Sequence, residues 1–170
     1  QHIGSLFMEG SPYIEGAKNI LEIAKQFENL EFVDFGGGFG IPYRKQEGQS
    51  RLNIKELGEN LADIVKGWIK EYGKEVKIKI EPGRYIVAES GVLLGTVYAI
   101  KKNYGRTYVG TDLGFNTLMR PVMYDSYHDI EVYKNGKPAD ETETEVVDIV
   151  GNICESGDIM AKERNLPVID

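Results

Sequence analysis

The chain has 170 residues, of which 41% are hydrophobic and 28% charged, so it can form one domain core or two small ones and disorder is not expected. Its formal net charge of -7 opposes non-specific binding to nucleic acid or an anionic membrane, and favours a small-molecule partner. The single cysteine, Cys154, excludes an internal disulfide and is typical of an intracellular protein, so we expect a cytoplasmic location.

Two apolar repeats with helical spacing alternate with two short strands in the first half of the chain. Residues 11–28 predict an amphipathic helix capped by Ser11, and residues 32–35 predict a buried strand. A second helical repeat covers residues 54–69, and residues 76–81 predict the next strand. This order is typical of parallel α/β units, in which the loops after the strands carry ligands.

The pattern changes beyond Ala88. Strands without helical spacing are predicted at residues 92–100, 106–111, 129–137 and 144–151, and Asn135-Gly136 is a strong signal for a tight turn. We therefore expect residues 1–88 to form an α/β domain and residues 89–170 to form a β-rich domain.

A glycine-rich segment, GGGFG, follows the first predicted strand. Consecutive glycines can bring several backbone N–H groups close to an anion, which makes Gly36, Gly37 and Gly38 candidates for binding a phosphate. A plain glycine-rich turn is an equally open interpretation of the glycines alone. The match to the dinucleotide-binding pattern is poor, because Pro42 intervenes and no helix follows at once.

The tetrapeptide Glu81-Pro82-Gly83-Arg84 stands at the end of the next predicted strand. A carboxylate there can hold a proton on a ring nitrogen, and the guanidinium offers a planar fork to a phosphate or carboxylate. Taken alone, the tetrapeptide is more simply interpreted as a local ion pair.

Two further pairs of residues are candidates for ligand contacts. His2 can stack on a flat cofactor and Ser5 can bond a phosphate oxygen, although a surface histidine is the default interpretation. Arg120 lies in an apolar context with Tyr124 nearby, so it could pair with a carboxylate. The alternative is an arginine that extends over an apolar surface.

Cys154 is followed directly by Glu155. A buried, inert thiol is the usual interpretation of an isolated cysteine. Neighbouring acids disfavour the thiolate, so this thiol suits proton donation better than nucleophilic attack. No metal site is predicted.

Five motifs occur in the order and approximate spacing of the fold-type III pyridoxal-phosphate-dependent decarboxylases. They are HIGS, GGGFGIPY, EPGRYIVAESGVLLGTV, DLGFNTLMRPVMYDSYH and GNICESGD. The last two resemble the diaminopimelate decarboxylase branch most, and Asn152 departs from the proline that the family usually has there. The resemblance implies the C-terminal part of a (β/α)8 TIM-like barrel, followed by an all-β domain that resembles a β-sandwich or Greek key.

The resemblance also implies a role for each candidate residue. The pyridoxal 5'-phosphate cofactor would be bound by His2, Ser5, Gly36, Gly37, Gly38, Glu81, Pro82, Gly83 and Arg84. Among these, Glu81 matches the acid on the pyridine nitrogen and Arg84 matches a phosphate ligand. Substrate-binding positions are matched by Arg84, Arg120, Tyr124 and Glu155. Cys154 matches the catalytic proton donor, which reaches into the neighbouring subunit's site.

The implied reaction is decarboxylation of meso-2,6-diaminoheptanedioate to L-lysine and carbon dioxide, the last step of lysine biosynthesis. The expected partners are a diamino acid substrate and a second copy in a homodimer with shared sites, with no nucleic acid and no membrane. A related decarboxylase of carboxynorspermidine, arginine or ornithine remains an alternative, as does a catalytically inactive binding homologue. Glu155 and the RPVMY segment favour diaminopimelate.

The family's cofactor-binding lysine, in a Tyr-x-x-Lys context, is not found in this sequence, and Lys101 and Lys102 are poor substitutes. We therefore expect a fragment that lacks the N-terminal part of the barrel and the C-terminal end. By themselves, these residues are expected not to turn over substrate.

Overall fold

The computed structural model describes residues 1–169, which form two compact units. The first unit contains Gln1–Pro42 and Gln49–Val92. The second contains Tyr43–Gly48 and the chain from Leu93 onward. The change of unit thus falls at Val92, and a short segment from the first half of the sequence belongs to the second unit.

The first unit combines helices with a two-stranded parallel sheet. Its elements are α1 (Ser11–Ala24), β1 (Phe32–Gly37), α2 (Ile54–Tyr72), β2 (Lys77–Glu81) and α3 (Arg84–Val87). In the sheet, Phe32 lies opposite Lys77 and Gly37 lies opposite Glu81. The parallel pairing of β1 with β2 confirms the expectation of a parallel α/β arrangement.

Helix α1 differs from its prediction at both ends. Its N-cap is Gly10 without a side-chain cap, so the prediction of Ser11 as the cap is wrong. Ser11 is the first helical residue, and Pro12 suits the first turn because the N–H it lacks would have no helical partner there. The helix ends at Ala24, where tighter i to i+3 bonds replace the helical pattern, and Phe27 is therefore 55% exposed.

Helix α2 is defined by its sequence at both ends. The side chain of Asn53 accepts a hydrogen bond from the Glu56 backbone N–H at 3.3 Å, and Gly73 ends the helix with φ 75°. The buried face includes Leu57 and Trp68, and the Trp68 indole donates to the Leu21 carbonyl of α1 at 2.8 Å. This contact joins the two long helices in one core.

The second unit contains a four-stranded sheet and a short helix. Its elements are β3 (Val97–Asn103), β4 (Arg106–Thr111), α4 (Arg120–Tyr124), β5 (Tyr133–Lys134), β6 (Lys137–Pro138), β7 (Thr144–Val150) and β8 (Ile159–Pro167). The sheet order is β3-β4-β7-β8, with β4 and β7 parallel and the other pairs antiparallel. Its core consists of Val109, Val147, Ile149 and Leu166.

The strand predictions for the second unit are confirmed in part. Asn135 and Gly136 have φ values of 52° and 75° and join β5 to β6, as the tight-turn signal predicts. The expectation of strands without helices is wrong at α4, where proline occupies the first turn of a short helix. Strand β8 escaped prediction, because charged residues interrupt its alternation and Glu163 has φ 48° at an irregularity of register.

None of the helices formed by residues 1–169 combines the length and the apolar composition that a membrane span requires.

Candidate functional site

The glycine run forms the end of β1 and lies directly against β2. Gly36 and Gly37 are the last residues of β1, and both are buried. A Cβ on Gly37 would lie 1.8 Å from the Glu81 carbonyl oxygen. Only glycine therefore allows the two strand ends to approach this closely, and it places Glu81 beside the glycine run.

The amino-terminal backbone contacts the same glycines. A Cβ on Gly36 would lie 2.0 Å from the Gln1 carbonyl oxygen, and a Cβ on Gly38 would lie 2.1 Å from that of Gly4. The Phe7 N–H donates to the Gly38 carbonyl at 3.0 Å. This segment carries two candidate residues with exposed side chains, namely His2 and Ser5.

The Glu81-Pro82-Gly83-Arg84 tetrapeptide continues from this strand end. Glu81 is the last residue of β2 and is exposed. Gly83, with φ 43°, turns the chain into α3, and Arg84 is the first residue of that helix and is half-buried. The carboxylate and the guanidinium are thus three residues apart across a turn at the carboxyl end of β2.

The glycines at the end of β1 are required by close backbone packing, and this packing determines which side chains lie near them. The missing side chains of Gly36 and Gly37 face backbone atoms, so close packing alone requires glycine there. The packing brings the segment of residues 1–5 and Glu81 together around the carboxyl end of β1. The side chains carried there offer a carboxylate as an acceptor, a guanidinium as a donor, and a hydroxyl and an imidazole that can do either. That set fits a phosphate-bearing ring that contains a basic nitrogen.

The Tyr13 side chain contacts the glycine end of β1 through its phenol hydroxyl. It is fully buried, and its hydroxyl donates to the Gly36 carbonyl at 3.5 Å. Burial, and then the charge of Asp34, raises the pKa of Tyr13 to about 12. The Gly36 N–H in turn donates to the Asp34 carboxylate at 2.8 Å.

In the second unit, Arg120 has an unsatisfied donor. It is half-buried at the start of α4, and its Nη2 donates to the Ser126 hydroxyl at 3.2 Å. Its guanidinium lies 5.4 Å from the centroid of the Tyr124 ring. Its Nε is buried and has no hydrogen-bond partner within residues 1–169. A buried N–H without a partner is costly, and a carboxylate ligand would satisfy it.

Cys154 and Glu155 lie on the loop between β7 and β8. Both are exposed, so the alternative of a buried, inert thiol is wrong for Cys154. The Glu155 carboxylate accepts bonds from the Ser156 hydroxyl at 3.3 Å and the Gly157 N–H at 3.4 Å. Both bonds lie within the loop, and they leave the side chain accessible to a ligand.

Sequence reasoning assigned no role to Asp158, the last residue of the GNICESGD motif. The structure buries it to 4% exposure, and its carboxylate accepts hydrogen bonds from two loops. The available signal was an acid in a glycine-rich segment, since glycines often mark positions where another group approaches the backbone.

The described part of the chain contains no group of three or more His, Cys, Asp or Glu that could hold a metal ion.

Comparison with known proteins relates these residues to one family. The family model described as "Pyridoxal-dependent decarboxylase, C-terminal sheet domain" matches residues 40–170. The diaminopimelate decarboxylase of Methanothermobacter thermautotrophicus is 42% identical over 99% of this chain, which covers 40% of that protein. The chain thus spans about 40% of the length of the curated relatives that it matches.

Solved structures show the same relationship. The diaminopimelate decarboxylase of M. jannaschii, in complex with L-lysine, superposes with a TM-score of 0.85 at 34% identity, over 99% of this chain and 38% of that one. The Helicobacter pylori enzyme, also complexed with L-lysine, gives a TM-score of 0.82 at 32% identity, over 99% of this chain and 40% of that one.

Proposed function

The chain belongs to the pyridoxal-dependent decarboxylase family, and from that membership we propose that the protein decarboxylates meso-2,6-diaminoheptanedioate to L-lysine and carbon dioxide, with pyridoxal 5'-phosphate as cofactor. The observation that carries the proposal is 42% identity to a diaminopimelate decarboxylase over 99% of the chain. Two related structures that contain L-lysine, the product of this reaction, support it.

The first unit would hold the cofactor. The Glu81 carboxylate, at the carboxyl end of β2, would keep a proton on the ring nitrogen, with His2 against the ring face. Arg84 and Ser5 would bind the phosphate beside Gly36–Gly38, and Pro82 and Gly83 set the turn that carries Arg84. When bound, pyridoxal phosphate supplies an electron sink for the electron pair left by the departing carboxylate.

Four of the candidate residues would contact the substrate. Arg120 would pair with a substrate carboxylate, and the unsatisfied Nε donor of this residue supports that assignment. The exposed Glu155 would bind the distal ammonium group, and the Tyr124 hydroxyl would add a hydrogen bond. Arg84 would contact the substrate as well as the phosphate. The Cys154 thiol would donate a proton to the α-carbon and regain one from solvent, to which it is exposed.

The same membership suggests the wider architecture. We propose that residues 1–88 form the C-terminal part of a (β/α)8 barrel, which the parallel pairing of β1 and β2 supports. Residues 89–170 would belong to a β-sandwich or Greek-key domain. We further propose a cytoplasmic homodimer in which Cys154 serves the neighbouring subunit, with no nucleic-acid partner.

The test is a matched pair of substitutions in the full-length protein that contains this chain. Glu155→Gln keeps the size of the side chain and removes its charge, so kcat/KM for meso-diaminopimelate is expected to fall about tenfold or more. The exposed Glu141 receives the same substitution as a control and is expected to change kcat/KM less than about twofold. A Glu155→Gln enzyme as active as the wild type would contradict the substrate assignment.

A further inference from the structure

One buried carboxylate has no part in the proposed mechanism, that of Asp158. It is 4% exposed, and its Oδ1 accepts the Phe115 N–H at 2.7 Å while its Oδ2 accepts the Ile153 N–H at 2.8 Å. Its own N–H donates to the Glu155 carbonyl at 2.9 Å, and its carbonyl accepts the Gly151 N–H at 2.9 Å. Four hydrogen bonds therefore hold this residue in place, and two of them use the carboxylate.

The surrounding backbone leaves room for this carboxylate. A Cβ on Gly151 would lie 2.1 Å from the Asp158 Oδ2, and a Cβ on Gly114 would lie 3.0 Å from the same atom. By contrast, a Cβ on Gly157 would meet only the Glu155 side chain, at 4.0 Å. A Cβ at Gly151 thus requires the carboxylate to move, one at Gly114 would be a tight fit, and one at Gly157 would have space.

Asp158 lies at the end of the loop that carries Cys154 and Glu155, so its bond to Ile153 lies within that loop and its bond to Phe115 crosses to a second loop of the same unit. Ile153 precedes Cys154 and Glu155 on the first loop. Phe115 lies in the turn closed by the bond from the Leu118 N–H to the Gly114 carbonyl, at 3.1 Å. That turn leads directly into α4, which carries Arg120 and Tyr124.

A second contact bridges the same loops but is weaker. The Asn152 amide donates to the Asp112 carbonyl at 3.5 Å, and both side chains are exposed. The bond from the Phe115 N–H to the Asp158 carboxylate is shorter, at 2.7 Å, charge-assisted and shielded from water, so it dominates the connection.

We propose that Asp158 is a positioning residue that fixes the Cys154–Glu155 loop relative to the turn before α4. One carboxylate thereby fixes where the candidate proton donor and Glu155 stand on the second unit. This inference rests on the proposed function, because that function assigns Cys154 and Glu155 to a substrate site.

Asp158→Asn tests the carboxylate, and Asp148→Asn is its matched control. An amide of the same shape replaces one acceptor oxygen with an N–H₂ group, which cannot accept from a backbone N–H. Asp148 is also 4% exposed, but its carboxylate binds the Glu163 N–H at 2.7 Å and Arg106 at 3.3 Å, away from both loops. A general loss of stability would appear in both variants, whereas a loss of positioning would appear only in Asp158→Asn.

Gly151→Ala provides a second test that keeps the carboxylate. Its added methyl group overlaps the Asp158 Oδ2 position, so the carboxylate must move. Gly157→Ala is the matched control in the same loop, where the methyl group has space. This pair keeps the proposal testable where Asp158→Asn does not fold.

All four variants are made in the full-length protein and confirmed as folded by circular dichroism. Hydrogen exchange at the Phe115 and Ile153 amides is expected to accelerate about tenfold or more in Asp158→Asn and Gly151→Ala. The KM for meso-diaminopimelate is expected to rise at least about fivefold in the same two variants. Both controls keep the wild-type KM, even where Asp148→Asn lowers the amount of folded enzyme.

The two readouts separate failure of this inference from failure of the proposed function. Wild-type exchange and KM in folded Asp158→Asn and Gly151→Ala enzymes would overturn the positioning role while leaving the decarboxylase intact. An equal rise of KM in the Asp148→Asn control would also overturn it. Accelerated exchange in a protein that releases no carbon dioxide from diaminopimelate would support the connection between the loops and reject the function.

Discussion

A single methyl group on Gly37 would separate β1 from β2, because it would lie 1.8 Å from the Glu81 carbonyl oxygen. Gly37→Ala is therefore expected to lower the free energy of unfolding by about 1–3 kcal/mol or more. Denaturant unfolding can be followed through the fluorescence of Trp68, which is the only tryptophan and is 4% exposed in the first core.

The matched control for that substitution is Gly58→Ala. Gly58 lies in α2, and no neighbouring element comes within 4 Å of the position that a Cβ would occupy, so alanine is expected to stabilise by about 0.5–1 kcal/mol. Equal unfolding midpoints for Gly37→Ala and the wild type would show that β1 and β2 need no glycine at this position.

Tyr13 predicts a pH dependence of stability in alkali. Because the folded-state pKa of Tyr13 is raised from 10.0 to about 12, the folded chain favours the neutral phenol. Its contribution is fully present below pH 10 and is lost as the pH rises toward about 12. The unfolding free energy of Tyr13→Phe should therefore fall less steeply than that of the wild type between these values. Parallel curves for the two proteins would contradict the pKa shift.

Replacement of glycine by alanine should have opposite effects inside α2 and at its C-terminal end. Gly73 has φ 75° at the helix end, so Gly73→Ala is expected to destabilise by about 1 kcal/mol. Gly67 lies inside the helix with open space around it, so Gly67→Ala is expected to stabilise by about 0.5–1 kcal/mol. Thermal unfolding measures both, and a loss of stability in Gly67→Ala would argue against the helical geometry there.

The elements that were predictable from sequence are those with a local cause. Helix α2, strands β1 and β2 and the Asn135-Gly136 turn follow from apolar spacing or turn residues, and the structure contains all of them. Strand β8 was not predictable, because its charged centre breaks the apolar alternation and its register with the preceding strand β7 is irregular. The end of α1 depends on i to i+3 bonds that apolar spacing does not encode.

Some features of the candidate site were also predictable from the sequence, and others were not. The residue types that could bind a cofactor were recognisable from motifs, and the structure places Gly36–Gly38, Glu81 and the segment of residues 1–5 around the carboxyl end of β1. The burial of Asp158 and its contact with Phe115 could not be read from the sequence, because the two residues are far apart along the chain. The unsatisfied Nε of Arg120 likewise emerges only from packing.

On the scale of the whole molecule, the two compact units do not correspond to two continuous stretches of sequence. Tyr43–Gly48 belongs to the second unit, where the Asp129 carboxylate accepts the Lys45 N–H at 2.8 Å and the Gln46 N–H at 3.3 Å. The prediction of one boundary near Ala88 did not include the return of Tyr43–Gly48 to the second unit. A contact between residues this far apart leaves no local pattern in the sequence. The chain therefore crosses between units more often than a single linker would allow.

The most direct test of the decarboxylase assignment is product analysis with the full-length protein and its cofactor. Incubation with meso-diaminopimelate should yield L-lysine and carbon dioxide in equal amounts. The values of kcat/KM for ornithine, arginine and carboxynorspermidine should be lower by about 100-fold or more, because they leave polar groups of the site unpaired. Release of carbon dioxide from one of those amino acids, with none from meso-diaminopimelate, would contradict the account.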